Sequence, residues 1–181
     1  MYYHSTPSTN LAAIAKEGLK PSKNPFWHGI RNNVTNEDEL GKFSMRKVFV
    51  SKSLKAAFFY GILRFLDEMR DKKPTVPTTC LLRVKDDVVP FVKDEKSKED
   101  YYATRKIAPK YIEFFNGAEW VPVTDTARLT CATVSQDFVV TTCNLNGEVV
   151  KSETHQDLQD LVYVLMTGNG IAKCCISSLI S

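Results

Sequence analysis

The chain has 181 residues, 43% of them hydrophobic and 25% charged, with a formal net charge of +3. That composition fills one compact core, or one domain with a small appendage, and excludes a disordered chain. The mild basic excess falls short of the footprint of a dedicated nucleic-acid binder, and an anionic substrate is allowed without being implied. Five Cys, an odd number without a Cys-x-x-Cys spacing, and three His argue against a zinc site or a disulfide framework and for free thiols in a reducing compartment. No apolar run approaches the ~18 residues of a membrane span and no signal segment is visible, so the expected location is a cytosol, the cell's own or that of a host.

Tyr2 and Tyr3 favour a strand that Pro7 is expected to break, and Ser8 or Thr9 is expected to cap a helix with Leu11, Ile14 and Ala15 on its apolar face. Gly18 supplies the residue that ends the helix. His4, Ser5 and Thr6 are left at the strand end, a position that suits phosphate or ribose binding. Residues 22–46 form a long polar connection. Within it Phe26, Trp27 and His28 lie between Lys23 and Arg31, able either to stack on a base and meet a phosphate of an acceptor or to anchor the loop.

Residues 47–51 read as a strand, and Ser53 is placed to cap a helix from Leu54 to about Asp71. Its apolar positions Leu54, Ala57, Phe58, Gly61, Ile62, Phe65, Leu66 and Met69 follow helical spacing, and Tyr60 lies off that stripe. Pro74 and Pro77 are expected to end it. Residues 78–84 form a β-rich run and 93–100 a charged loop; a strand resumes at Tyr101, and Pro109 bends the chain. Asn116-Gly117 and Asn146-Gly147 mark hairpins. Strands are expected near 128–134, 138–143 and 148–151, followed by a helix capped by Thr154 and carrying Leu158, Leu161, Val162 and Leu165, which residues 168–170 stop. Residues 171–180 fit either helix or strand. The expected organisation is a domain over 1–126 and a C-terminal extension over 127–181 that is either separate or part of the same domain.

Three blocks resemble the ADP-ribosyltransferase fold: His4-Ser5-Thr6 followed by Gly18-Leu19; Val48-Phe49-Val50-Ser51-x-Ser53 followed by Phe58-Phe59-Tyr60-Gly61; and Asp100 followed by Ile107-Ala108-Pro109-x-x-Ile112. The resemblance implies an α+β fold, an ADP-ribosyltransferase-like split sheet with flanking helices, plus a small C-terminal β/α extension. It implies NAD as co-substrate, no metal, and mono-ADP-ribosyl transfer to a macromolecular acceptor, protein or nucleic acid, as in toxins, effectors and phage-encoded modifiers. An inhibitor or antitoxin partner would then be expected, and no membrane. His4, Ser5, Thr6, Ser51 and Ser53 would hold the dinucleotide, and Tyr60 would stack on nicotinamide. Asp100, which strand register favours, or the adjacent Glu99 would be the acid at the reacting ribose; strand alternation points the two in opposite directions, so one alone can face the pocket. Ser51 and Ser53 serve equally well as turn and cap residues, and Asp100 and Glu99 as members of a solvated loop. Two further functions fit the blocks: an RNA 2′-phosphotransferase, which shares the fold and the use of NAD and lacks the acid, and an inactive binding or inhibitory module, which Ser5 in place of the family's Gly permits.

Overall fold

The computed structural model describes residues 1–21, 46–95 and 97–168. In chain order these form β1 (Tyr2–Pro7), α1 (Leu11–Glu17), β2 (Val48–Ser51), α2 (Leu54–Arg70), β3 (Thr75–Pro77), β4 (Thr79–Val84), β5 (Val92–Lys93), β6 (Asp100–Ala103), β7 (Ile112–Phe115), β8 (Trp120–Pro122), β9 (Thr130–Ser135), β10 (Val139–Asn144), β11 (Val149–Thr154) and α3 (Leu158–Gly168). The class is mixed α and β. A seven-stranded sheet in the order β5-β6-β2-β1-β4-β7-β8 accompanies a four-stranded sheet in the order β11-β10-β9-β3, and every pairing among the described strands is antiparallel.

The large sheet is buried on both faces at its centre, which is why β4 reads as a nearly continuous apolar run. Leu82 and Val84 pack with Leu11 and Ile14 of α1, and Leu81, pointing the other way, packs with Phe58 and Ile62 of α2. The α2 stripe is as its spacing predicts: Ala57, Phe58, Gly61, Ile62, Phe65 and Met69 are buried and Tyr60 is 41% exposed. Ser53 accepts the Ala56 amide at 3.3 Å and so caps the helix as expected. At Gly18 (φ +78°) a Cβ would lie 2.0 Å from the Ile107 carbonyl oxygen, so only glycine lets α1 end where Leu19 bridges Ile107.

Four local expectations are corrected. Pro7 closes the β1 ladder opposite Thr79 instead of breaking it, because a strand end tolerates a missing donor. Neither Ser8 nor Thr9 caps α1: the chain enters it through a 3-10 turn, Ser8–Asn10, in which Asn10 is already helical and the Leu11 amide bonds the Ser8 carbonyl. The prolines do not end α2, which stops at Arg70 before Lys72 turns at φ 51°; Pro77 sits in β3, an edge strand where its missing N–H is harmless. Thr154 ends β11, and the α3 cap is Asp157, whose carboxylate accepts the Asp160 amide at 2.8 Å.

Both Asn-Gly hairpins form, β7–β8 with Phe115 opposite Trp120, and β10–β11. The chain after residue 126 builds onto β3: Val76 pairs with Val134, and Leu161, Val162 and Met166 of α3 are buried in the same cluster as Phe58 and Phe65 of α2. The expected stop at Asn169 and Gly170 and the apolar run 171–180 lie outside the described residues.

Candidate functional site

β1 is held unequally by its two neighbours. It makes six register pairs with β4, from Tyr2 to Pro7, and one with β2, Tyr3 opposite Ser51. Beyond Tyr3 the ladder to β2 stops and a cleft of about 330 Å³ opens, walled by His4, Ser5 and Thr6 from β1, Asn10 and Glu17 beside α1, and Lys47 to Phe49 from β2. The His4 imidazole spans the divergence, its Nδ1 bonding the Phe49 carbonyl at 2.7 Å. A carbonyl can only accept, so Nδ1 carries the proton and Nε2 of the neutral ring is left as an acceptor. Burial pushes the His4 pKa down, against the pull of the Phe49 carbonyl, and the Arg64 guanidinium adds to the lowering. The ring is therefore neutral at pH 7. Asn10 donates to Thr6 Oγ1 at 2.9 Å, which orients that hydroxyl's own hydrogen away from the amide.

Among the described residues, Lys20, Lys47 and Arg64 line the cleft together with the carboxylate of Glu17. Glu17 pairs with Lys20, and Arg64 with Glu68 at 3.0 Å. Burial lowers the Lys47 pKa, with Asp94 pulling it back up. Lys20 and Arg64 are thus already ion-paired within the protein, and the Lys47 ammonium lies 4.2 Å over the Tyr102 ring.

Alternation sends Ser5 to the opposite face of the sheet from His4 and Thr6, toward α2. On that face Ser51 is the register partner of Asp100, the first residue of β6, and the Tyr60 hydroxyl donates to Asp100 Oδ2 at 3.2 Å. Burial raises the Tyr60 pKa, and the Asp100 charge adds to it, so the phenol stays protonated as a donor. Tyr60 also borders a hollow of about 20 Å³ between α2 and the strands. Ser5, Thr6 and Arg64 line both this hollow and the larger cleft, whereas Tyr60 borders the hollow alone and Asp100 and Ser51 line neither. Gly61 permits the close approach: a Cβ there would lie 2.1 Å from Thr79 Oγ1.

The remaining predicted residues have structural engagements. Ser51 is 2% exposed; its hydroxyl donates to the Glu99 carbonyl at 3.3 Å and accepts from the Ser53 amide at 3.2 Å, while the Ser53 hydroxyl caps α2. The Glu99 side chain is exposed; its carbonyl accepts from Ser51 and from the Lys52 amide at 2.8 Å, and its amide donates to Ser97 Oγ at 3.3 Å. Of the two candidate acids, Asp100 alone has its carboxylate bonded to another predicted site residue, Tyr60; Glu99 meets Ser51 through its backbone carbonyl. Phe26, Trp27, His28 and Arg31, with Lys23, lie outside the described residues. Sequence inspection missed Asn10, Lys47 and Arg64. Arg64 was within reach, since it follows Tyr60 by one helical turn and so shares its face.

Among the described residues no group of His, Cys, Asp or Glu is arranged to hold a metal ion, and no helix is long and apolar enough to cross a membrane. Comparison of the chain with protein-family models, with curated proteins and with solved structures returned no match.

Proposed function

We propose that the chain is an NAD-dependent mono-ADP-ribosyltransferase with an ADP-ribosyltransferase-like split sheet. One observation carries this: β1 leaves β2 after a single register pair, and the cleft so opened has His4-Ser5-Thr6 along its wall. The residues fit a dinucleotide. Ligand pockets run from roughly 300 to 1,000 Å³, and the cleft lies at the lower end of that range with a cationic wall for a pyrophosphate. The dinucleotide supplies the transferred group: an acceptor nucleophile bonds C1′ of the nicotinamide ribose, the bond to nicotinamide breaks with its electron pair leaving on nicotinamide, and the acceptor proton goes to water.

In this proposal His4 Nε2 accepts from a ribose hydroxyl, Thr6 and the backbone of Ser5 orient the ligand, and Lys47 and Arg64 face the phosphates. Tyr60 presents its ring to nicotinamide and holds the Asp100 carboxylate, which accepts from the reacting ribose and offsets positive charge at C1′. Ser51 and Ser53 act by locking the turn that presents Asp100 and starts α2. The acceptor is a macromolecule.

The test is incubation of the purified protein with NAD and a lysate, followed by chromatography for nicotinamide and mass spectrometry for added ADP-ribose. Release and transfer are expected, with a loss of at least about tenfold in His4→Ala and in Tyr60→Ala, the scale of one lost directed contact. Absence of NAD binding at millimolar concentration would favour an inactive binding module, and loss of phosphate from a 2′-phosphorylated RNA would favour the phosphotransferase; either overturns the proposal. So does transfer that survives His4→Ala unchanged.

A further inference from the structure

Cys131 on β9 and Cys143 on β10 are direct register partners, in a run of pairs that stays in step from Val134↔Val140 to Thr130↔Asn144. Register partners share a face. Val134 and Val140 are buried against α2, so alternation sends the two Cys to the other face, where both thiols are free and half-buried. Opposed residues in an antiparallel ladder have Cα atoms about 4.5 or 5.5 Å apart and Cβ atoms about 4.5–5.5 Å apart. A disulfide takes Cα separations of roughly 4.4–6.8 Å and Cβ separations of roughly 3.5–4.5 Å. Bridging this pair therefore needs a Cβ approach on the order of 1 Å and no change of register. Cys80, the other described thiol, is buried, and burial pushes its pKa far up, which removes it from thiolate chemistry.

We propose that Cys131 and Cys143 form a reversible redox pair that closes to a cross-strand disulfide on contact with a small-molecule disulfide. One Cys thiolate attacks a sulfur of the small disulfide, forming a mixed disulfide and releasing one small thiol. The second Cys, as thiolate, then attacks the protein sulfur of that mixed disulfide and expels the second small thiol. The pair loses two electrons and two protons, and the small disulfide gains both. The bridge would lie beside the junction between the two sheets. Ala132, next to Cys131, accepts from Ser8 Oγ at 2.7 Å and from the Thr78 amide at 2.8 Å, and its own amide donates to Ser8 Oγ at 3.1 Å. Ser8 directly follows the strand that carries His4 and Thr6, so closure stiffens the support of the cleft wall.

The test treats the reduced, full-length, natively folded protein with oxidised glutathione, blocks remaining thiols with an alkylating agent, and reads intact mass and a peptide map. The expected result is loss of two hydrogens, a Cys131–Cys143 linked peptide that a reductant reverses, and a rise in Tm of a few degrees. Cys131→Ser or Cys143→Ser should abolish the linked peptide. Should either variant not fold, the map of the unsubstituted chain decides alone. Alkylation of both positions after oxidation, a stable glutathione adduct on either, or a link from either to Cys174 or Cys175 would overturn the proposal.

Discussion

Gly61→Ala tests whether the contact between α2 and β1 is as close as the geometry requires. A Cβ at Gly61 would lie 2.1 Å from Thr79 Oγ1 and 2.9 Å from both Cβ and Oγ of Ser5. Ser5 can rotate its hydroxyl but not its Cβ. Thr79 cannot move its oxygen without swinging its methyl through a buried site. Relief therefore requires α2 to shift, and overpacking of this kind costs about 1–3 kcal/mol. Alanine in a helix interior is favoured over glycine by roughly 1 kcal/mol, which offsets part of that. With strand atoms blocking the Cβ from β4 and from β1, the upper half of the overpacking range applies, and the net loss is about 1–2 kcal/mol. In a chain of this size that lowers Tm by roughly 2–8 °C. Urea and thermal unfolding of the purified variant measure it. Thr79→Ala removes the nearer obstruction together with a hydroxyl that has no hydrogen-bond partner, so in that background Gly61→Ala should cost at least about 1 kcal/mol less, a coupling that a double-mutant cycle isolates. Because Tyr60 adjoins Gly61, the single variant should also weaken the Tyr60–Asp100 bond, visible as a phenol pKa returning toward its ordinary value. A Gly61→Ala protein as stable as the parent would refute the reasoning.

Ser8→Ala should cost about 1–3 kcal/mol in urea unfolding, since it removes both side-chain bonds to Ala132 and leaves the Ala132 amide without the oxygen it donates to; a neutral result would show that the junction between the sheets does not rely on it. Ser53→Ala should cost about 1 kcal/mol, the usual value of a helix cap, read as a fall in Tm, with Ser53→Asp restoring the parent. His4 gives a pH dependence of defined sign. Its folded pKa is lowered, so the unfolded chain takes up the proton first; the contribution of neutral His4 is complete above its ordinary value of 6.5 and is lost as pH falls through that value toward the folded one. The difference in unfolding free energy between parent and His4→Asn, measured from pH 8 to 5, should therefore shrink with acidification, and a difference independent of pH would exclude the assignment.

Local rules made much of the framework legible. The α2 stripe could be read because a 3.6-residue period in apolar side chains predicts burial on one face whatever the partner, and the absence of Tyr60 from that stripe marked it for another use. The Asn-Gly hairpins and the Ser53 cap are similarly short-range. The failures were places where a distant segment claimed a side chain. Ser8 reads as a cap by type, but Ala132 takes its hydroxyl from across the molecule. Thr154 lost its expected role because β10 extended β11 through it.

His4-Ser5-Thr6 shows the same division. Alternation along the strand determined from sequence alone that His4 and Thr6 share one face and Ser5 the other. The departure of β2 from β1 after one register pair was decided by tertiary structure, because ladder length depends on how both strands are held by their other neighbours, β4 and β6. The bond between Asp100 and Tyr60 was tertiary too: alternation required that only one of Asp100 and Glu99 face α2, and the pairing of Asp100 with Ser51 set which. Sequence determined the chemical groups and their periodicity, and long-range pairing decided which of them meet.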